Sequence, residues 1–445
     1  MKIKQFKDAP LAHYSYAIVS EGEMALVDPS RNPLQYYKYA EEQNAKITAV
    51  FETHPHADFV SGHLQISQQT GADIYVSKLL GADYKHIPFD DGNSVKMGKI
   101  IFKAINTPGH SPDSITIVAE DTKQTILFTG DTLFIGDVGR PDLRENVGNM
   151  KAKRVELAKD MYHTIQNKFN HLPNEALVYP AHGAGSLCGK NMSTDSSSTL
   201  GNERMGNWAF KKQTEAKFLE NILEDQPIIP AYFGFNVDIN KHGAENVQNS
   251  KGAVKMELLA EKLDKGVMVV DTRNGDIYKN GHFPNSINIM SQSDKDDFET
   301  WLGVLVEPEE AFYLIVNSVN DIEYVLERTA KIGYEKQIRA IVTLSEKVFV
   351  SSDKLDKKHF KKNPEDYTIV DIRSKSEVAS EKIFENALSF PLNELSDNTD
   401  KIPTNKPIVV HCAAGFRSAA GSSILENKFN NTKVYDLSDA IEKFK

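Results

Sequence analysis

A chain of 445 residues with 40% hydrophobic and 26% charged side chains has room for about three domains, each with a core of its own. Acidic residues outnumber basic ones, 62 to 52, and the net charge of −10 argues against nucleic acid or an anionic membrane as partner. Met1-Lys2-Ile3-Lys4-Gln5 opens without an apolar signal-type segment, and no run approaches the ~20 apolar residues needed to cross a bilayer. The cysteines number 2, Cys188 and Cys412, too few for a disulfide framework, so the expected setting is a reducing cytoplasm.

Along the chain, Tyr16-Ala17-Ile18-Val19 and Met24-Ala25-Leu26-Val27 flank Glu21-Gly22-Glu23 and predict a hairpin. Leu34 to Gln43 predicts a helix. Four apolar runs then end at chemically capable residues. Thr48-Ala49-Val50-Phe51 runs into His54-Pro55-His56-Ala57-Asp58-Phe59, and Ile100 to Ile105 into Thr107-Pro108-Gly109-His110. Gln124 to Phe128 ends at Thr129-Gly130-Asp131, and Leu177-Val178-Tyr179 at Pro180-Ala181-His182. Functional residues collect on loops at the ends of a rigid sheet, so this recurrence predicts one site. Ser193 to Leu200 is expected to be a loop, Trp208 to Ile222 a helix, and the polar stretch Asn236 to Lys251 a linker.

Beyond that stretch one pattern appears twice. Val267-Met268-Val269-Val270-Asp271-Thr272-Arg273 matches Tyr367-Thr368-Ile369-Val370-Asp371-Ile372-Arg373, and Phe312 to Ser318 aligns with Pro407 to Cys412. The repeat predicts two copies of one α/β domain. The expected boundaries are 1–245, 252–345 and 346–445.

His54, His56, Asp58, His110, Asp131 and His182 supply imidazole and carboxylate donors suited to iron or zinc alike. Their motifs, with Phe128 to Phe134 and Tyr179 to Gly183, resemble the metallo-β-lactamase superfamily in its glyoxalase II and persulfide dioxygenase branch. The resemblance implies an αββα sandwich. It also implies one Fe(II) per chain on His54, His110 and Asp131, with His56 as a further candidate ligand. Zinc remains open as the metal. In two-metal relatives a histidine stands where this chain has Phe59, and phenylalanine cannot ligate. Asp58 and His182 are then expected to orient ligands or substrate by hydrogen bonds. Arg140 is expected to face a carboxylate or phosphate of a thiol substrate, or else to pair with Asp137 or Asp142. Cys188, close behind His182, is expected either to relay sulfane sulfur or to pack as a small buried residue.

The two repeats resemble rhodanese sulfurtransferases. The first copy matches through Asp271-Thr272-Arg273 and Gly281-His282-Phe283-Pro284, but its loop Asn317-Ser318-Val319-Asn320-Asp321 has no cysteine, so it is expected to be an inactive spacer or dimerisation module. The second copy has Glu381-Lys382-Ile383 where Gly-His-Ile is expected. It nevertheless carries His411-Cys412-Ala413-Ala414-Gly415-Phe416-Arg417 between a strand and a helix, a setting that favours a reactive thiolate. Arg417 offers donors to a sulfur oxyanion. Phosphatases of this architecture place one more residue between Cys and Arg, which disfavours phosphate.

The whole chain resembles persulfide dioxygenase–sulfurtransferase fusions of sulfide detoxification. That implies a low-molecular-weight thiol persulfide, O₂ and sulfite as reactants, thiosulfate as product, and a homo-oligomer with neither nucleic acid nor membrane as partner. The alternatives are a zinc thioester hydrolase of glyoxalase II type with an appended sulfurtransferase, and a non-enzymatic sulfur carrier.

Overall fold

The computed structural model of the protein describes residues 1–144, 153–257, 263–344 and 349–445. They form two units, Met1–Ser250 with Ala330–Gly333, and Lys251–Thr329 with Tyr334–Lys445. The expected boundary between residues 345 and 346 lies outside the described residues.

In the first unit the period-two pattern of the strands builds two six-stranded sheets. In strand His13–Ser20, Tyr14, Tyr16 and Ile18 pack between the sheets against Phe102, Ile117 and Phe128, while Ala17 belongs to the opposite face. The expected hairpin is present, with Tyr16 opposite Val27 and a turn that places Glu21 and Gly22 at φ 53 and 80°. Helix Leu34–Glu42 covers one outer face through Tyr36, Tyr39 and Ala40. Helices Arg154–His163 and Glu215–Leu223 cover the other through Met161, Phe218 and Ile222. The layers are α, β, β, α, as expected.

Two local expectations are corrected. Trp208 to Ile222 is not one helix: Trp208–Phe210 is a single 3₁₀ turn, and the helix proper starts only at Glu215, where the Thr214 side chain accepts the Lys217 N–H. The supposed linker from Asn236 to Lys251 is largely helical, in Tyr232–His242 and Val247–Gly252. Asn236 and Asn240 are buried, and Asn240 bonds inward to the His56 and Phe59 carbonyls.

The second unit contains a five-stranded and a four-stranded sheet. Asp271 pairs in parallel with Asn288 and Ile315, and Asp371 with Ser389 and His411. Parallel strands are covered on both faces, hence the unbroken apolar runs Phe312–Val316 and Ile408–Val410, buried throughout. The register refines the alignment of the copies. Since Asp271 faces Ile315 as Asp371 faces His411, the residue that matches Cys412 is Val316 and not Ser318. Among the described residues, no helix is long and apolar enough to cross a membrane.

Candidate metal centre and thiol site

The metal-type residues of the first unit lie on loops that leave the C-terminal ends of strands Lys46–Phe51, Ile100–Asn106, Thr125–Gly130 and Leu177–Pro180. Close approach of these loops is paid for by glycine. A Cβ at Gly130, which has φ +53°, would collide with the Thr53 side chain, and one at Gly139 would collide with the Asp131 carbonyl.

Hydrogen bonds set the tautomers of two histidines. The Thr53 hydroxyl donates to Asp28 Oδ2 at 2.9 Å, so at 3.0 Å it can only accept from His54 Nδ1–H. His110 Nδ1–H donates to the Arg140 carbonyl at 2.9 Å. Each ring thus turns an Nε2 lone pair toward the same atom, Asp131 Oδ2, at 3.8 Å from His54 and 3.6 Å from His110. Asp131 Oδ2 and His54 Nε2 are buried without a hydrogen-bond partner. Two lone pairs facing a carboxylate oxygen leave buried acceptors unsatisfied unless a cation lies between them. The ligand atoms of His54, His110 and Asp131 all lie within 4.8 Å of one another, so the donor set fits a metal ion.

Around this face stand the other expected residues. His56, Asp131 and His182 form a second close group, and Asp58, His182 and Cys188 a third. His182 bridges two carboxylates, with Nδ1 2.7 Å from Asp131 Oδ1 and Nε2 2.8 Å from Asp58 Oδ2. His56 Nε2 is 3.3 Å from Asp28 Oδ1, out of line for a hydrogen bond. Phe59 is buried, its ring 4.4 Å from that of His56 and 4.0 Å from that of His13.

The electrostatics follow from burial and from these neighbours. Burial, then the neighbouring His56, holds His54 well below its ordinary value, and burial lowers His110. Burial opposes charge on Asp131, but His182 outweighs it and the carboxyl is held well below the usual range. Burial likewise opposes charge on His182, but Asp131 and Asp58 raise it well above its ordinary value. Burial, reinforced by Asp58 and Asp131, pushes the Cys188 thiol well up, unlike a reactive thiolate.

Of the two expectations for Arg140, the structure shows the pairing with Asp142. The Arg140 guanidinium makes a paired bond to Asp142, both contacts 2.7 Å, and donates to the carbonyls of Leu187, Pro227 and Ile228. Every N–H is taken and the side chain is 1% exposed, so no donor is left for a substrate anion.

In the second unit, Cys412 is buried at the end of strand Ile408–His411, and the Gly415 N–H points at its sulfur from 3.1 Å. Gly415 has φ +104°, and a Cβ there would meet the Ser438 and Asp439 backbone at 2.8 Å. Helix Phe416–Lys428 starts at once beyond it, so Cys412 sits before a helix N-terminus. Both terminal nitrogens of Arg417 bond Glu377, each at 2.7 Å.

Several site residues were not singled out from sequence. Asp28 ends the apolar run Met24–Val27 and so carried the same strand-end signal as the histidines. His13 carried none. Asn240 holds the histidine loop from 184 residues away, donating to the carbonyls of His56 and Phe59 and accepting from Ser61 N–H, each at 2.8 Å.

Comparison with known proteins adds context. Residues 8–182 match the model of the metallo-beta-lactamase superfamily, and residues 255–342 and 353–445 each match the rhodanese-like domain. A solved metallo-beta-lactamase from Staphylococcus aureus subsp. aureus COL is 31% identical at a TM-score of 0.70, covering 78% of this chain and 99% of that one. The human mitochondrial persulfide dioxygenase ETHE1 is 31% identical over 162 residues, 36% of this chain and 59% of its own length. The probable polyketide biosynthesis zinc-dependent hydrolase BaeB of Bacillus velezensis is 29% identical over 188 residues, 41% of this chain and 77% of its own.

Proposed function

Because the chain belongs to the metallo-β-lactamase superfamily and carries two rhodanese-like domains, we propose that it oxidises low-molecular-weight thiol persulfides and passes sulfur to the sulfite formed. The observation that carries the reading is the two-histidine, one-carboxylate face on His54, His110 and Asp131, with Phe59 where a second metal would need a ligand. The domains are assigned to 1–245, 252–345 and 346–445, with the thiol chemistry in the last.

His54, His110 and Asp131 would hold a ferrous ion, which would supply the redox chemistry that lets O₂ react with a closed-shell persulfide. The protein's part is positional. Thr53 and the Arg140 carbonyl fix the two imidazoles, and His182 with Asp58 fixes Asp131. The oxidation balances as persulfide anion, O₂ and water giving sulfite, thiol and a proton. In the second step the Cys412 thiolate attacks the outer sulfur of another persulfide, releasing thiol and leaving a Cys412 persulfide. Sulfite then takes that sulfur, giving thiosulfate and restoring the thiolate. Cys188 has a burial suited to packing, and a relay role for it is the weaker assignment.

The test is metal analysis together with oxygen uptake on glutathione and coenzyme A persulfides. Iron and uptake are expected. Zinc, no uptake and turnover of a thioester would overturn the reading in favour of a hydrolase. The Cys412→Ser variant should keep oxygen uptake and accumulate sulfite in place of thiosulfate; an unchanged thiosulfate yield would remove Cys412 from the reaction.

A further inference from the structure

The two rhodanese-like copies serve as an internal control on each other. What both keep is needed by the fold; what only the cysteine-bearing copy keeps belongs to the chemistry.

Both keep the Asp-x-Arg pair with the same geometry. Arg273 and Arg373 each bond the preceding Asp through Nη2 at 2.7 Å, and each donates to the carbonyl eight residues on, Gly281 at 2.8 Å and Glu381 at 2.9 Å. That pair ties the strand end to the following helix in either copy. Glu377 is different. It lies six residues beyond Asp371, and the corresponding residue beyond Asp271 is Ile277, which is exposed. The same copy has Val316 at the Cys412 position, and no arginine in its loop through Asp321. The thiol, the loop arginine and the glutamate are missing together.

Geometry links the three where they occur. Glu377 takes one N–H from each terminal nitrogen of Arg417, a planar two-point contact that fixes the guanidinium orientation. It is itself held: Ser374 N–H donates to Glu377 Oε2 at 2.9 Å, and the Ser374 side chain accepts the Glu377 N–H at 3.2 Å. Arg417 lies within electrostatic reach of Cys412, and Asp297 of the preceding copy adds a second negative charge to its surroundings.

We propose that Glu377 is a positioning residue for sulfur transfer, fixing Arg417 so that its remaining N–H groups meet the anionic sulfur acceptor at Cys412 and offsetting one positive charge there. The assignment rests on Cys412 being the sulfur-transferring thiol. Removing the Glu377 charge then lowers kcat without raising KM for sulfite. Arg417 is freed as a net cation and still attracts sulfite, but no longer presents it in register.

The experiment uses the full-length protein with glutathione persulfide as donor and sulfite as acceptor. Rates are normalised to titrated Cys412 thiol, so that a partly unfolded sample does not count as slow. Glu377→Gln should lower kcat about tenfold while KM for sulfite stays level or falls, and Arg417→Lys should raise KM. Glu377→Asp is too short for the two-point contact and should restore less than half of kcat. A Glu377→Gln kcat within twofold of wild type, with loss of thermal stability alone, would overturn the assignment and leave Glu377 a helix cap. If the wild-type protein forms no thiosulfate, or Cys412→Ser forms it equally well, the parent reading fails and this one falls with it.

Discussion

Asn240→Ala is the sharpest test of how the histidine loop is held. The side chain makes three buried bonds, to the carbonyls of His56 and Phe59 and from the Ser61 N–H, each 2.8 Å long. Truncation leaves all three backbone groups without a partner in a place closed to water. At ~1 kcal/mol or more for each stranded group, the loss is about 3 kcal/mol. The loop concerned runs from His56 to Ser61, directly after His54, so metal affinity should drop with stability, by ~10-fold or more.

Asn240→Asp sharpens the test. A carboxylate can still accept from Ser61 N–H, but it has no donor for the two carbonyls and would place charge against them. It should therefore be at least as damaging as alanine, although it is nearly isosteric. The measurement is urea unfolding of the metal-loaded protein, followed by release of the bound metal, with metal content per chain alongside. An alanine variant within ~0.5 kcal/mol of wild type that keeps its metal would refute the argument, as would an aspartate variant milder than the alanine one.

Two further outcomes are expected. Phe59→His should raise bound metal from about one to about two equivalents per chain, because it adds a donor beside Asp58 and His182; an unchanged count in a folded variant would show that Phe59 is not what limits the number. His411 is buried next to Asp371 Oδ2, 3.7 Å away, and burial lowers it to about 4. The unfolded chain takes up a proton near pH 6.5 and the folded chain only near 4, so stability should be full above 6.5, fall as pH drops through that window and level off below it, by up to about 3 kcal/mol. His411→Gln should lack that slope in unfolding of the second unit between pH 6.5 and 4, and identical slopes in both proteins would contradict it.

Sequence made the strands and their ends legible because both signals are local. Alternation in Tyr14, Tyr16 and Ile18 marks a two-faced strand, and a run such as Thr48 to Phe51 ending at His54 marks a loop with chemistry. The linker was misread for the opposite reason. Asn240 looks like a solvent-facing residue until the loop it binds is brought to it from a distant part of the chain. Arg140 sat beside its true partner, Asp142, yet its remaining N–H groups are consumed by carbonyls of Pro227 and Ile228, which no local pattern reveals. Ser374-x-x-Glu377 has the spacing of a helix-start signature, and the structure caps a helix there. The second contact of the same carboxylate is tertiary. The Val316 register was obscured because the two copies enter their helices differently, one through the turn Val319–Asp321 and the other directly at Phe416.

The division of labour at Asp131 bears most directly on metal count. A carboxylate can bridge two metals by giving one oxygen to each. Here the two oxygens are not equivalent. Oδ2 is unpartnered and faces the lone pairs of His54 and His110, whereas Oδ1 is bonded at 2.7 Å to His182 Nδ1. The other nitrogen of His182 is engaged by Asp58 at 2.8 Å. Beside them the rings of Phe59 and His13, 4.0 Å apart, fill the space where a further ligand would stand. The far side of Asp131 is thus occupied by an imidazole and closed by an apolar ring, while the near side is left electron-rich and unsatisfied. A pair of metals bridged through both oxygens of Asp131 would have to displace the His182 contact from Oδ1 before it could form. A single ion at Oδ2 displaces nothing, and the His182 contact then serves to aim Asp131 at it.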